Sequence, residues 1–267
     1  LVASGFTLVF GLMRNVNLAH GSLYLLGAYI GFTIAELSGS WIFGVAAGFL
    51  SMAILGLLLQ VFIFRRLEGQ DLRQTLVSIG ISIILADLMM AIWGGNTYQF
   101  EIPEVLYGVT RLPLVRVYTT YRLVILGVAV VIGLSLWFFL TRTLVGMKIR
   151  AGVDDKEILS ATGVNVHRIF AIVFAIGAGL AGLAGVVGGS ALSIAPGEDV
   201  RYLLASLVVV IVGGMGSVGG AALGALLIGM AEQFGLAYLP TYGVVFTFVI
   251  MVVTLAFRPR GLFGSKA

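Results

Sequence analysis

Few side chains in this 267-residue chain could do chemistry, and the most telling of them lie within or beside apolar runs. Asp87 is the one acid read as sitting well inside such a run, and helical spacing puts it on a face with Gly80 and Ile83. Asn15, Asn17 and His20 cluster at the start of another run. Ionisable groups inside a membrane are expensive, so they line a cavity or pair with a partner. Asp87 fits either role, with Arg14 as the candidate partner, and His20 fits either a hydrogen bond at a helix start or a place on a solute path. Enzyme chemistry has no footing in the pattern. There is no cysteine, no nucleophile–base pair or metal cluster stands out, and His20 and His167 are too far apart in sequence to suggest a site. No Gly-x-x-x-x-Gly-Lys-Ser/Thr loop occurs, so the chain cannot supply an ATP site. No metal, cofactor or nucleic-acid partner is expected.

The elements that must position these residues are membrane helices. The chain is 60% hydrophobic and 10% charged, against roughly a quarter charged in soluble domains. Its mean hydropathy is +1.10. Apolar runs such as 41–64, 123–140, 169–191 and 244–257 approach the length that crosses a bilayer core about 30 Å thick. They do not alternate, which excludes a membrane β-barrel. Further runs cover 1–13, 18–35 and 74–93. Leu1 already stands inside an apolar run with no basic flank or cleavage site, so the first helix is expected to begin upstream, and a signal peptide is not. Segments 65–73, 141–168 and 258–267 hold eleven of the sixteen Lys and Arg residues, which assigns them to the cytoplasm. Segments 94–122 and 192–201 then lie outside.

Two interruptions punctuate the apolar pattern, at 14–22 and at Gly213–Gly220, where Gly214, Gly216 and Ser217 would expose backbone. Irregular backbone at membrane depth survives where protein or a water-filled cavity satisfies it, and paired broken segments point to a solute pathway. Each interruption also fits a plain turn between helices. The 34 residues of 202–235 favour two short helices meeting at the glycine break. Gly177, Ala181, Gly185 and Gly189, four apart, read as a packing face.

Within 141–168, Asp154 and Glu157 have capping-box spacing and Gly163 fits a left-handed stop. The helix of about two turns between them is too short to stand alone. Ile158, Ala161 and Thr162 on one side, with Leu159 beside them, call for a partner surface.

Glu157 and Gly163 are spaced as in the cytoplasmic coupling loop of ABC importer permeases, although no Ile-x-Leu-Pro follows. Asn17-Leu18-Ala19-His20-Gly21 with Gly27-Ala28-Tyr29 resembles the signature of branched-chain amino-acid permeases of the LivH/LivM family. So do Arg150-Ala151-Gly152, Ala161-Thr162-Gly163-Val164-Asn165, the Gly213–Gly220 break and the tail Arg258-Pro259-Arg260-Gly261-Leu262-Phe263-Gly264. The resemblance covers nearly the whole chain and points to the LivH branch.

The resemblance implies an all-α polytopic transmembrane helical bundle with two discontinuous helix segments and a cytoplasmic coupling helix, a single permease domain over 1–267 in a bacterial inner membrane. It also implies a LivM-like second permease, two ATP-binding subunits, a periplasmic substrate-binding protein and surrounding lipid as partners. Asp154, Glu157, Ile158, Leu159, Ala161 and Gly163 would form the coupling element. Asn15, Asn17, His20, Asp87, Gly214, Gly216 and Ser217 would line the path, with the two breaks close together. Arg111 and Arg116 would dock the binding protein, or anchor to lipid head groups. Relatives carry urea, amides or aromatic acids as well as branched-chain amino acids, and an ion-coupled secondary transporter is the reading from another class.

Overall fold

The computed structural model describes residues 1–12, 17–110, 117–238, 240 and 243–264. Asn15, Arg14, Arg111 and Arg116 lie outside the described residues. Among the described residues the fold is all-α apart from a short antiparallel pair, Val109–Thr110 with Tyr118–Thr119. Among the described residues, five helices are long and apolar enough to cross a membrane.

The α-helices in chain order are α1 (Val2–Phe6), α2 (His20–Ser38), α3 (Trp41–Phe62), α4 (Asp71–Trp93), α5 (Thr120–Arg142), α6 (Leu144–Asp154), α7 (Lys156–Ala161), α8 (Val166–Leu192), α9 (Glu198–Gly213), α10 (Val218–Tyr238) and α11 (Gly243–Phe257). A π-helical turn, Thr7–Leu12, continues α1. The crossing helices extend a few residues past the apolar runs, to charged ends such as Asp71 and Arg142.

The core forms around α8. Of its most apolar window 78% is buried, against 11% for α5. Small residues explain the difference. A Cβ at Gly177 would stand 2.9 Å from the Gly5 carbonyl oxygen, one at Gly182 would overlap the Gly48 carbonyl, and one at Gly185 the Tyr24 carbonyl. Three backbones, those of α1, α3 and α2, therefore lie directly on α8, as the packing reading of this face expects.

Polar links tie the ends away from the basic loops. Trp41 Nε1 donates to Ser190 Oγ (2.8 Å), Tyr121 Oη to the Val187 carbonyl (2.9 Å) and Trp93 Nε1 to Thr33 Oγ1 (2.9 Å). Tyr98 and Ile194 exchange backbone bonds of 2.9 and 2.8 Å, so segment 94–122 is stapled to the α8–α9 connector.

The expectation of two short helices around the glycine break needs correction. α9 has 16 residues, but α10 has 21 and is long enough to cross. What shortens α9 is its start. The connector 193–197 leaves α8 through Ser193 in a left-handed conformation (φ 85°), and Asp199 in the next helix already meets Ser22 and Gly21.

Candidate functional site

Two helices begin at half-height of the bundle. α2 starts at His20 because Asn17 closes a turn: its Oδ1 accepts from Ala19 N–H (3.1 Å) and its carbonyl from His20 N–H (3.4 Å). Leu18 N–H donates to Ser78 Oγ on α4 (3.0 Å). α9 starts at Glu198 and brings Asp199 against the first turn of α2. Gly21 permits this, since a Cβ there would overlap the Asp199 carbonyl. Ser82, the middle residue of α4, completes the meeting point.

Ser22 Oγ donates to Asp199 Oδ2 at 2.9 Å. Its one hydroxyl proton is thereby used, so the 2.7 Å contact with Ser82 Oγ is a donation from Ser82. The chain of donors Ser82→Ser22→Asp199 ends on a carboxylate that is 5% exposed. No cation pairs with Asp199 among the described residues; the nearby Arg201 turns to Glu198 (3.4 Å) and Glu232 (3.9 Å). The rings of Tyr24 and Tyr202 lie 4.3 Å apart, joining α2 to α9 one turn further along each helix. Deep in the same region, Asn17 Nδ2 and His20 Nδ1 have no hydrogen-bond partner among the described residues.

The path residues expected from sequence divide into three groups. Asn17 and His20 do meet at the start of α2, but His20 faces α1, with Nε2 3.2 Å from the Val2 carbonyl and its ring over Phe6. Asp87 lies on the exposed face of α4 with Ile83 and makes no side-chain bond or ion pair among the described residues. Gly214, Gly216 and Ser217 stand at the far end of α9 from Asp199, about 20 Å away by helical rise. Asn17 and His20 are therefore not neighbours of the glycine break, contrary to expectation. Gly214 (φ 101°) lies against the tail, whose Leu262 and Phe263 N–H groups donate to the Val212 and Gly213 carbonyls at 2.9 and 3.0 Å. The orphan carbonyls ending α9 are thus satisfied by the tail. Ser217 caps α10 by accepting from Gly220 N–H (2.9 Å).

Sequence reasoning missed Asp199, Ser22 and Ser82. It read 192–201 as an outer loop because the segment is poor in basic residues. One signal was present: Gln74, Ser78 and Ser82 recur every four residues on an otherwise apolar helix, a polar stripe that faces inward.

On the side of the basic loops, 141–168 holds two helices rather than one. The cap also moves by one residue. Because α6 runs helical through Asp154, the extended N-cap conformation (φ −151°, ψ 109°) falls on Asp155, whose Oδ1 accepts from Ile158 N–H at 3.0 Å. The Asp154 and Glu157 side chains lie outside the described ones. Gly163 stops the segment at φ 80° as expected. Ile158 is 66% exposed and Ala161 is exposed, whereas Leu159 is buried beneath them against Gly152. Leu159 therefore anchors α7 rather than presenting it. An open cleft of about 640 Å³ runs beside α7, lined by Glu68, Ser160 and residues 163–167.

Residues 1–255 match the family described as the permease component of the branched-chain amino acid transport system. This chain belongs to that family. It is 30% identical to the high-affinity branched-chain amino acid transport system permease protein BraD of Pseudomonas aeruginosa, over 99% of this chain and 91% of the relative. It is likewise 30% identical to the LivH permease protein of Salmonella typhimurium, over 99% and 90%. The LivM permease protein of that organism is 27% identical over 98% of this chain and 67% of its own length. No solved structure matches. The family and the crossing helices make this a multi-pass membrane transport subunit.

Proposed function

We propose that the chain is a permease subunit of an ATP-driven importer of the bacterial inner membrane, passing branched-chain or other small apolar amino acids delivered by a periplasmic binding protein. A second, LivM-like permease and two ATP-binding subunits complete the assembly. The observation that carries this reading is similarity over essentially the whole chain to permease proteins of branched-chain amino acid transport systems. The exposed apolar side of α7, at Ile158 and Ala161, supports ATPase docking there. Arg111 and Arg116 are proposed to steer the binding protein, an interaction that salt screens.

The test is reconstitution of the complex in vesicles, with radiolabelled leucine, urea, acetamide and phenylalanine offered in turn. Leucine uptake is expected to require both ATP and the binding protein. Uptake driven by a proton gradient without ATP would sink the reading. Reversing both arginine charges should slow uptake most at low salt, and unchanged uptake there would assign them to lipid.

A further inference from the structure

A carboxylate that pairs with no cation among the described residues sits where two helix starts meet inside the bundle. Asp199 is 5% exposed, and among the described residues the hydrogen-bond partner of its side chain is the neutral hydroxyl of Ser22. A buried charge is strongly disfavoured unless a counter-charge or several donors hold it. Here one donor is present, and the donor itself leans on Ser82. Structural burial of an acid would more naturally bring a basic side chain; Arg201, two residues on, turns to Glu198 and Glu232 instead. The missing positive charge is one that a solute can carry.

The adjoining groups have the opposite preference. The first turn of α2 turns the positive end of its dipole toward the same spot, and the Gly21 and Ser22 N–H groups have no backbone acceptor among the described residues. A helix start alone is not a site. Asn17 adds a second mark: it is 1% exposed, its Oδ1 is fixed on Ala19 N–H, and its Nδ2 donor has no partner. An acceptor for a cation and donors for an anion thus both belong to the start of α2, where Ser22 Oγ touches Asp199. That is the charge pattern of an amino-acid head group. Apolar surface adjoins it at Leu203, whose Cβ lies against Gly21, matching a hydrocarbon side chain.

We propose that Asp199, supported by Ser22 and Ser82, binds the ammonium of a zwitterionic amino acid, while Asn17 and the first-turn N–H groups of α2 take its carboxylate. The site rests on the importer reading above. It places the solute at half-height, between discontinuous helices, where an alternating pathway holds its cargo.

The experiment uses the assembled transporter with its binding protein. Asp199→Asn should lower leucine uptake about tenfold or more, the effect of removing a charged hydrogen-bond partner. ATP hydrolysis stimulated by the binding protein should persist, because subunit assembly is untouched. Wild-type uptake in this variant would overturn the site. So would recovery of uptake in the double variant Arg14→Gln, Asp199→Asn, which would make the pair an internal ion pair. Wild-type complex provides a second measurement that needs no variant. A hydrophobic carbodiimide should label Asp199, read by mass spectrometry, and leucine under turnover should protect it. The anion 4-methylpentanoate, which has no ammonium, should not. Labelling indifferent to leucine would overturn the proposal. If the wild-type complex moves no amino acid at all, the importer reading fails instead.

Discussion

Ser22 and Asp199 are 177 positions apart in sequence and joined by a 2.9 Å hydrogen bond that ties the start of α2 to the start of α9. The bond links the two halves of the chain at the one level where neither helix continues upward or downward unbroken. Ser22→Ala would leave the carboxylate buried without its donor, a loss of about 1–3 kcal/mol. The expected outcome is a lower unfolding temperature of the purified subunit together with reduced leucine uptake. Ser22→Thr keeps the hydroxyl and should recover most of the uptake. Equal behaviour of the two variants would remove the hydrogen bond from the account.

Gly21 should be less forgiving than its neighbours. A Cβ there would overlap the Asp199 carbonyl and come within 2.9 Å of Leu203 Cβ, so backbone must move. Overpacking of this kind costs about 1–3 kcal/mol and forces α9 away from α2. Gly21→Val is therefore expected to lower thermal stability and uptake together. Gly80→Ala on α4, where a Cβ would meet nothing within 4 Å, should be neutral in both measurements.

Apolar runs and basic loops made the crossing helices legible, because bilayer thickness and loop charge act on composition alone. The ends of α3, α4 and α8 lie within a few residues of the runs that announce them. The junction at Asp199 was not legible, since a segment poor in basic residues looks the same in an outer loop and in a connector that descends into a bundle. Tertiary contact separates the two. The cap at Asp155 was off by one residue for a related reason: Asp154 and Asp155 are chemically equal, and only the extent of α6 decides which takes the extended conformation. Asn17 and His20 drew notice because Asn and His stand out at the start of an apolar run. Their unequal roles, Asn17 closing the turn before α2 and His20 facing α1, depend on packing that spacing does not encode.

The tail should behave as part of α9. Leu262 and Phe263 satisfy the last carbonyls of that helix, and a Cβ at Gly214 would overlap the Gly264 backbone N–H group. Gly214 also holds φ 101°, which side-chain-bearing residues rarely adopt. Gly214→Ala is expected to expel the tail and destabilise by about 1–3 kcal/mol. Limited proteolysis with trypsin would read this as faster cleavage after Arg260, since the Arg258–Pro259 bond resists that protease. An unchanged cleavage rate would mean that the tail is not held by these bonds.

Ile158 and Leu159 are adjacent on α7 and should respond oppositely, which makes the coupling assignment testable in one pair of variants. Ile158 is 66% exposed on a six-residue helix that cannot persist by its own hydrogen bonds, while Leu159 is 8% exposed and packs against Gly152 beneath it. The outward residue has no packing role in this subunit. The inward one holds α7 to the body, so a force applied to Ile158 is transmitted through Leu159 to α6 and α8. Ile158→Asp should leave the thermal stability of the permease unchanged while weakening association with the ATPase and abolishing ATP-dependent uptake. Leu159→Ala should instead lower stability by about 2–5 kcal/mol, as large-to-small changes at buried sites do. Asp155→Ala removes the cap and should cost about 1 kcal/mol, loosening α7 without touching the docking face. Co-purification with the ATPase measures docking, and thermal unfolding measures the anchor. Normal ATPase binding by Ile158→Asp, with native uptake, would show that the coupling contact lies elsewhere on the basic side.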